Sequence, residues 1–590
     1  MANDDRKKEK EQRKKEKAEK KSSLKTLQYS YRAIANRQKY IRSVLLPCIL
    51  LGVVIMVLPF LLRLIAPSAE FNSLTFILGG VIPILLGVFY PFIAWKNREA
   101  DINGKMHFFI THLRVLAISD LSLKDIINVL GGNKAYKSLG EELRKISVLS
   151  DQWRMPLSKS FRFISDRTPS KIFRDFLDRF SQSLDSGVEH REFIETEQSA
   201  VLEEYKTMYE ASNNNITILS EIYVSLLIAI IFVMSLGIVL PMVMGSQDMN
   251  TFIFLASFML IASECLLLYL LRAMIPPDEM WHCTGEKGEV ELALKKLFKL
   301  CVILCIGLGA FFFVAKYTIG LFPFTVIPYE LLVVTTFTPL LFPGFKALRE
   351  EDRMARKERN FMGFLPALGS ISTMRGGRIN DSVYYLSEKD YGVLTQHIRD
   401  LYRRLRTRID DDASWEWFGV DTGSNYIQRS CEMFRQSTAA AANPRTVSRM
   451  ITENIRKIRD LRVKKMSIVK TTAALLAGIT FGITFAIYCS LVVARHLNTI
   501  LASSSAGNPF GGTTIDIGSI LTTVPPQVFT NNFIIIFTVL LIHCALMGLT
   551  IRSMRGSHII VSCFYFVVFA WIVSVTAVIV DVSLRGYLGI

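Results

Sequence analysis

Hydrophobic residues along this chain gather in long unbroken runs, separated by two long stretches where they recur singly. A helix crosses the hydrocarbon core of a bilayer with about 20 mostly apolar residues. Nine runs approach or meet that length: 43–62, 74–95, 222–244, 252–271, 300–317, 328–345, 471–493, 533–551 and 558–580. The sixth is short and holds Pro339 and Pro343.

The two polar stretches, 96–221 and 346–470, show helical spacing and few strand-like alternations. Phe109, Leu113 and Leu116 begin an amphipathic pattern, and Phe173, Phe176, Leu177 and Phe180 recur at i, i+3, i+4 and i+7. In the second stretch Phe364, Leu365, Leu368 and Ile371 do the same, followed by Ile451, Ile455 and Ile458. Pro156, Pro169, Pro366 and Pro444 predict helix starts or loops.

The order of runs and stretches repeats at an interval of roughly 250 residues. Phe180-Ser181-Gln182-Ser183 closes one polar stretch, and Phe434-Arg435-Gln436-Ser437 closes the other. Spans one to four match spans five to eight, and the ninth is extra. Four spans per unit give both copies the same orientation, unlike the inverted repeats common in transporters. The chain therefore reads as an all-α polytopic membrane protein with about nine transmembrane helices and two helical cytoplasmic domains in a parallel internal repeat. Its expected parts are a charged segment 1–42, spans one and two in 43–95, and a first domain 96–221. Spans three and four follow in 222–271, then a loop 272–299, and spans five and six in 300–345. A second domain 346–470, spans seven to nine in 471–580, and a tail 581–590 complete it.

Charge supplies the orientation. The formal net charge is +17, half of the residues are hydrophobic, and the mean hydropathy is +0.31. Basic residues of membrane proteins concentrate in cytoplasmic loops. With the N-terminus inside, Lys96 and Arg98, Arg272, Lys295, Lys296 and Lys299, Lys346, Arg349, Arg353, Arg356 and Lys357, and Arg552 and Arg555 all fall inside. Only Arg63, Lys316, Arg495 and Arg585 fall outside, which places the C-terminus outside. Residues 1–25 are a Lys/Arg/Glu block, either a solvated helix or a disordered arm, whose net charge suits an anionic lipid leaflet. Residues 1–42 are too charged for a cleavable signal, so 43–62 reads as a retained anchor in the cell membrane. No nucleic-acid-binding signature accompanies the charge.

Candidate chemistry is sparse. Seven of the nine cysteines fall in apolar runs, and Cys283 and Cys431 fall in loops assigned to the cytoplasm, where thiols stay reduced. Thr284-Gly285-Glu286-Lys287-Gly288 lacks the spacing of a phosphate loop, and Gly376-Gly377 suits a turn between helices. No catalytic, cofactor-binding or metal-binding set is expected, so the chain does not read as an enzyme. Two ionisable residues lie within spans: Glu264 in the fourth and His543 in the matching eighth. Either they face each other across the repeat interface, or each bonds a neighbouring helix independently. On the cytoplasmic side Arg399, Arg403 and Arg404 crowd one helix, with Arg272, Lys295 and Lys296 bounding the loop between spans four and five. Either set is a solvated face or a contact for a protein partner. A second basic cluster, Arg456 to Lys465, lies where the chain enters span seven and suits topology and lipid headgroups. The outer loop 494–532, rich in Ser, Thr, Gly and Pro, is either an external contact or a connector.

Two helical lobes flanked by spans resemble the inner-membrane platform proteins of type II secretion and type IV pilus machines. The residues that carry the likeness are Phe108-Phe109-Ile110-Thr111-His112-Leu113-Arg114-Val115-Leu116-Ala117 and Phe364-Leu365-Pro366-Ala367-Leu368 at the lobe starts. Phe176 to Phe180 with Asp185-Ser186-Gly187, and Phe434 to Ser437, carry it at the lobe ends. Gly376-Gly377 keeps the small pair after the first helix of the lobe, and Asp120-Leu121-Ser122 departs from it. The nine-span layout is most like the archaeal branch that assembles the archaellum. The second lobe departs most at Asp410-Asp411-Asp412 and Trp415-Glu416-Trp417. The resemblance implies a non-enzymatic platform that anchors a hexameric secretion ATPase, passes its motion to pilin-like archaellin subunits, works with other motor-complex proteins and forms a homodimer. An archaeal adhesion pilus or type II-like secretion system is the alternative setting, and a secondary transporter the remote one.

Overall fold

The computed structural model describes residues 40–50, 52–53, 56–57, 73–244, 249–275, 278–282, 288–318, 322, 324, 326–407, 410–506 and 526–588. Its elements are helices. We number them α1 (Ser73–Ala117), α2 (Leu123–Gly132), α3 (Lys137–Asp151), α4 (Leu157–Ser165), α5 (Lys171–Asp185), α6 (His190–Met244), α7 (Met249–Met274) and α8 (Glu289–Phe313). They continue as α9 (Tyr329–Phe337), α10 (Leu341–Met374), α11 (Ile379–Ser387), α12 (Thr395–Thr407), α13 (Asp411–Thr422), α14 (Asn425–Ala439), α15 (Pro444–Ala506), α16 (Pro526–Arg555) and α17 (Val561–Leu588).

Among the described residues seven helical segments are long and apolar enough to cross a membrane, and they cover most of each of the third to ninth expected spans. The protein is therefore a multi-pass membrane protein. The second run, 74–95, forms the first part of α1, and much of 43–62 lies outside the described residues. The sixth run is split by its prolines into α9, a 3-10 turn at Thr338–Leu340, and the first turn of α10.

The repeat is written in the order of elements. A long helix (α1, α10) is followed by a short one (α2, α11), a 3-10 turn (Lys134–Tyr136, Gly392–Leu394), three more helices (α3 to α5, α12 to α14) and a very long helix (α6, α15). Ser170 and Ser424 stand the same distance apart in sequence as Phe180 and Phe434. Each caps its helix by accepting the backbone N–H three residues on, at 3.1 and 3.4 Å. The turn before the very long helix needs a left-handed residue, and it is Gly187 (φ 72°) in one copy and Ala441 (φ 64°) in the other.

Contacts divide the chain into two compact units, Met1–Met106 with Ile127–Glu189, and His107–Ile126 with His190–Ile590. In the first, the phenylalanine stripe of α5 is buried, and Phe180 stacks on Phe161 of α4 with ring centroids 4.9 Å apart. In the second, Phe361, Phe364, Leu365 and Leu368 of α10 are buried, with Phe364 against Phe418 of α13. The spans α6, α7, α15, α16 and α17 share one apolar core.

Three expectations are corrected. Pro366 lies inside α10, not at a helix start or in a loop. Cys431 is buried in α14, not in a loop, because its neighbours Ile427 and Phe434 share its inward face. The loop 494–532 is shorter than its composition implies, since α15 runs on to Ala506 and α16 begins at Pro526; the remainder lies outside the described residues, as does Cys283.

Candidate coupling site at the root of the second lobe

The connection between α7 and α8 begins in the sequence with Pro276-Pro277, which cannot extend a helix. Its described part, Asp278 to His282, is half-buried and pairs with Ser424 through a single bridge at Trp281. Arg462 of α15 donates from Nε and Nη2 to Asp278 Oδ1 at 3.0 and 2.5 Å, and from Nε to Oδ2 at 3.1 Å. Tyr209 of α6 donates its hydroxyl to Oδ2 at 3.1 Å, and Lys465 Nζ lies 3.7 Å from it. Glu358 of α10, held by the Ser424 hydroxyl at 2.5 Å, faces the other edge of Arg462 at 3.5 Å. The guanidinium lies 3.8 Å over the Tyr426 ring. Two carboxylates thus meet two cations in a buried site. Burial alone would raise the Asp278 carboxyl; Arg462 and Lys465 outweigh it and hold the group well below the usual carboxylate range.

The rest of this described part is held mainly through its backbone. Asn425 N and Nδ2 donate to the carbonyls of Met280 (3.1 Å) and Glu279 (2.9 Å), and His282 N donates to Gly423 O at 3.0 Å. Trp281 donates from Nε1 to Glu351 of α10 at 3.3 Å and lies with its ring 5.3 Å from that of His558. Glu351 also accepts from Arg555 Nε (3.2 Å), Ser557 Oγ (2.8 Å) and His558 N (3.0 Å). Five residues therefore tie α6, α10, α14, α15 and the α16–α17 turn into one joint.

An aromatic layer adjoins it. His107 of α1 lies between Tyr205 and Tyr426 at 4.8 and 5.9 Å, and Asn454 Nδ2 donates to its carbonyl at 3.3 Å. Burial pushes His107 and His112 down to about 3, so both stay neutral at ordinary pH.

A second polar site lies within the spans. His543 Nδ1 of α16 is hydrogen-bonded to Glu264 Oε1 of α7, and both side chains are fully buried. Tyr223 of α6 donates to the same carboxylate at 3.3 Å, and Thr480 of α15 meets His543 Nε2 at 3.2 Å. The repeat builds this cluster: α7 with α6 in one half, α16 with α15 in the other, and the Glu264–His543 bond between halves.

The surface candidates separate. Arg403 is exposed and bonds its helix neighbour Asp400, at 3.1 Å. Arg404 is turned to Asp421 at 2.6 Å, and Arg399 to the Ser387 carbonyl at 3.3 Å. Lys295 pairs with Glu291 one turn back, while Arg272 and Lys296 are exposed. In Asp410 to Trp417, Asp410 caps α13, Asp412 pairs with Arg435, and Trp415 is buried against Phe418 and Phe434.

Arg462 and Lys465 belong to the basic cluster at the entry to span seven. They fall on the same helical stripe as Ile451, Ile455, Ile458 and Val469, all buried. A charge on an apolar stripe marks an inward-facing ion, and that signal was present in the spacing.

The family model for type II secretion system (T2SS), protein F, matches residues 109–238. Flagella accessory protein J of Methanocaldococcus jannaschii is 34% identical over 559 residues, covering 93% of this chain and 96% of that protein. The protein of the same name from Methanococcus voltae is 33% identical over 554 residues, with the same coverage of each chain. No solved structure matches.

Proposed function

This chain belongs to the flagella accessory protein J family, and on that premise we propose that it is the archaellum's membrane platform, which anchors a hexameric motor ATPase and couples its cycle to insertion of archaellin subunits. The Asp278–Arg462 joint carries this reading. Coupling needs a stiff path from a lobe into the membrane. α6 and α15, of 55 and 63 residues, are single helices about 80 and 95 Å long that continue from lobe to span. The joint clamps both, together with α10 and the turn between the last two spans, so a push on the second lobe moves several spans together. In this reading the lobes are cytoplasmic, as the basic loops require, the C-terminus is outside, and the chain transmits force without chemistry of its own.

Deleting the gene and imaging the cells by electron microscopy tests the assignment. Loss of archaella with thinner pili retained is expected. Loss of pili alone moves the chain to an adhesion system, and both filaments intact overturns the platform reading. In the same cells, Arg462→Ala should insert normally and leave archaella unassembled; normal archaella in that variant would remove the joint from the mechanism.

A further inference from the structure

The second unit holds a polar cavity of about 270 Å³ between the start of α8 and the helices α10, α12 and α13. Lys357 of α10 lines it and is only 7% exposed. Its ammonium donates to Thr422 O at 3.1 Å and has no carboxylate within ion-pair distance. Burial pushes the group below the ordinary lysine value. A buried cation without a counter-ion is costly to keep. The acids around the cavity are committed elsewhere. Asp421 pairs with Arg404 at 2.6 Å, Asp400 with Arg403 at 3.1 Å, Glu350 with Arg353 at 3.0 Å, and Glu291 with Lys295. Glu289 is exposed.

We propose that this cavity binds a small oxyanion of the phosphate class from solution, held by Lys357, Arg404 and the N-terminus of α8. Two further sets of donors border the same space. Arg404 Nη1 is buried with no hydrogen-bond partner, although Nη2 holds Asp421. The cap residue of α8, Gly288, brings no side chain to the helix start, and the first intrahelical bond runs from Leu292 N to Gly288 O at 3.1 Å. That leaves the first-turn N–H groups of Glu289 to Glu291 open at the positive end of a long helix, where oxyanions bind. An oxyanion with several acceptor oxygens can meet all three sets at once, whereas chloride cannot bridge them. The position favours a soluble ligand over a lipid headgroup. Lys357 lies about 18 Å along α10 from the end of the sixth expected span, and Gly288 lies about 18 Å along α8 from the start of the fifth. The headgroup layer is only about 5–7 Å thick on each side. Once bound, the oxyanion would tie the start of α8 to the second lobe beside the Asp278 joint. That consequence rests on the platform reading; the binding does not.

The test uses the purified full chain in phosphatidylcholine nanodiscs, with inorganic phosphate as the probe. Phosphate should raise the unfolding temperature to a plateau, beyond the effect of chloride at equal ionic strength. It should also slow amide exchange at residues 288–292. Lys357→Met should weaken phosphate binding roughly tenfold or more. Without phosphate this variant should unfold no earlier than wild type, because it removes an uncompensated buried charge. Arg404→Gln should weaken binding as well. A response matched by chloride, or one equal in Lys357→Met and wild type, overturns the proposal. So does amide exchange at 288–292 that phosphate leaves unchanged in the wild-type chain, a readout that needs no variant to fold. A response seen only when phosphatidic acid is added to the nanodiscs, and not with free phosphate, overturns the solution source. None of these readouts needs a filament, so they decide the site separately from the platform reading.

Discussion

Glu264 and His543, 279 residues apart in sequence, are hydrogen-bonded to each other within the spans, each on the fourth span of its half. Neither could stand alone in hydrocarbon. A buried carboxylate or imidazolium without a partner costs several kcal/mol, whereas the pair with one shared proton is neutral overall.

Removing one partner should therefore cost more than removing both. His543→Leu or Glu264→Leu is expected to destabilise the detergent-solubilised protein by about 3–5 kcal/mol, and the double Leu variant by clearly less. Thermal unfolding measures this. Additive losses in the double variant would mean that the residues act independently.

At the joint, Asp278→Asn leaves Arg462 and Lys465 buried with one carboxylate fewer. A loss of about 3 kcal/mol is expected, with the side chain's shape unchanged. The Asp278→Arg, Arg462→Asp exchange should not recover it, because the new carboxylate would face Glu358 and the new guanidinium would face Lys465. Unfolding midpoints equal to wild type in Asp278→Asn would show that the ion pair contributes nothing.

Stability should fall on mild acidification. The unfolded chain takes up protons at His107 and His112 near pH 6.5, but burial keeps the folded sites neutral until about pH 3. Stability is then lost as pH drops through that window, at about 1.4 kcal/mol per pH unit per site. Asp278, held low, adds its own loss only below about pH 4. His107→Gln and His112→Gln should each flatten the dependence between pH 6 and 5. An unaltered slope in the double variant would rule these histidines out as its source.

Arg403 and Arg406 of α12 are both exposed, and the ion pair that Arg403 makes is with Asp400 of its own helix. Arg403→Glu should weaken co-purification of the motor ATPase while shifting the unfolding temperature by little. Arg404→Glu breaks the pair with Asp421 and sets two carboxylates together, so it should destabilise the lobe as well. Unchanged recovery of the ATPase with Arg403→Glu would remove α12 as the contact.

Ala441 holds a left-handed conformation (φ 64°) where the first copy uses Gly187. Ala441→Gly is expected to stabilise the protein by about 1 kcal/mol by relieving the Cβ clash. A lower unfolding temperature would show that the methyl group packs better than it strains.

The spans, the all-helical lobes and the parallel repeat were legible in the sequence alone. They rest on local properties: run length against bilayer thickness, three-and-four spacing, and recurrence of one pattern. Glu264 and His543 could be singled out for the same reason, since an ionisable residue in an apolar run is conspicuous. Their bond could not be read, because two helices carry no sequence signal of which faces meet. Arg462 and Lys465 show both sides. Their place on a buried stripe was readable, but their partner Asp278, in a short polar connection 184 residues earlier, was not. Only the packing of α6, α10, α14 and α15 around that connection removed water from the site and made one carboxylate the counter-ion that both cations share.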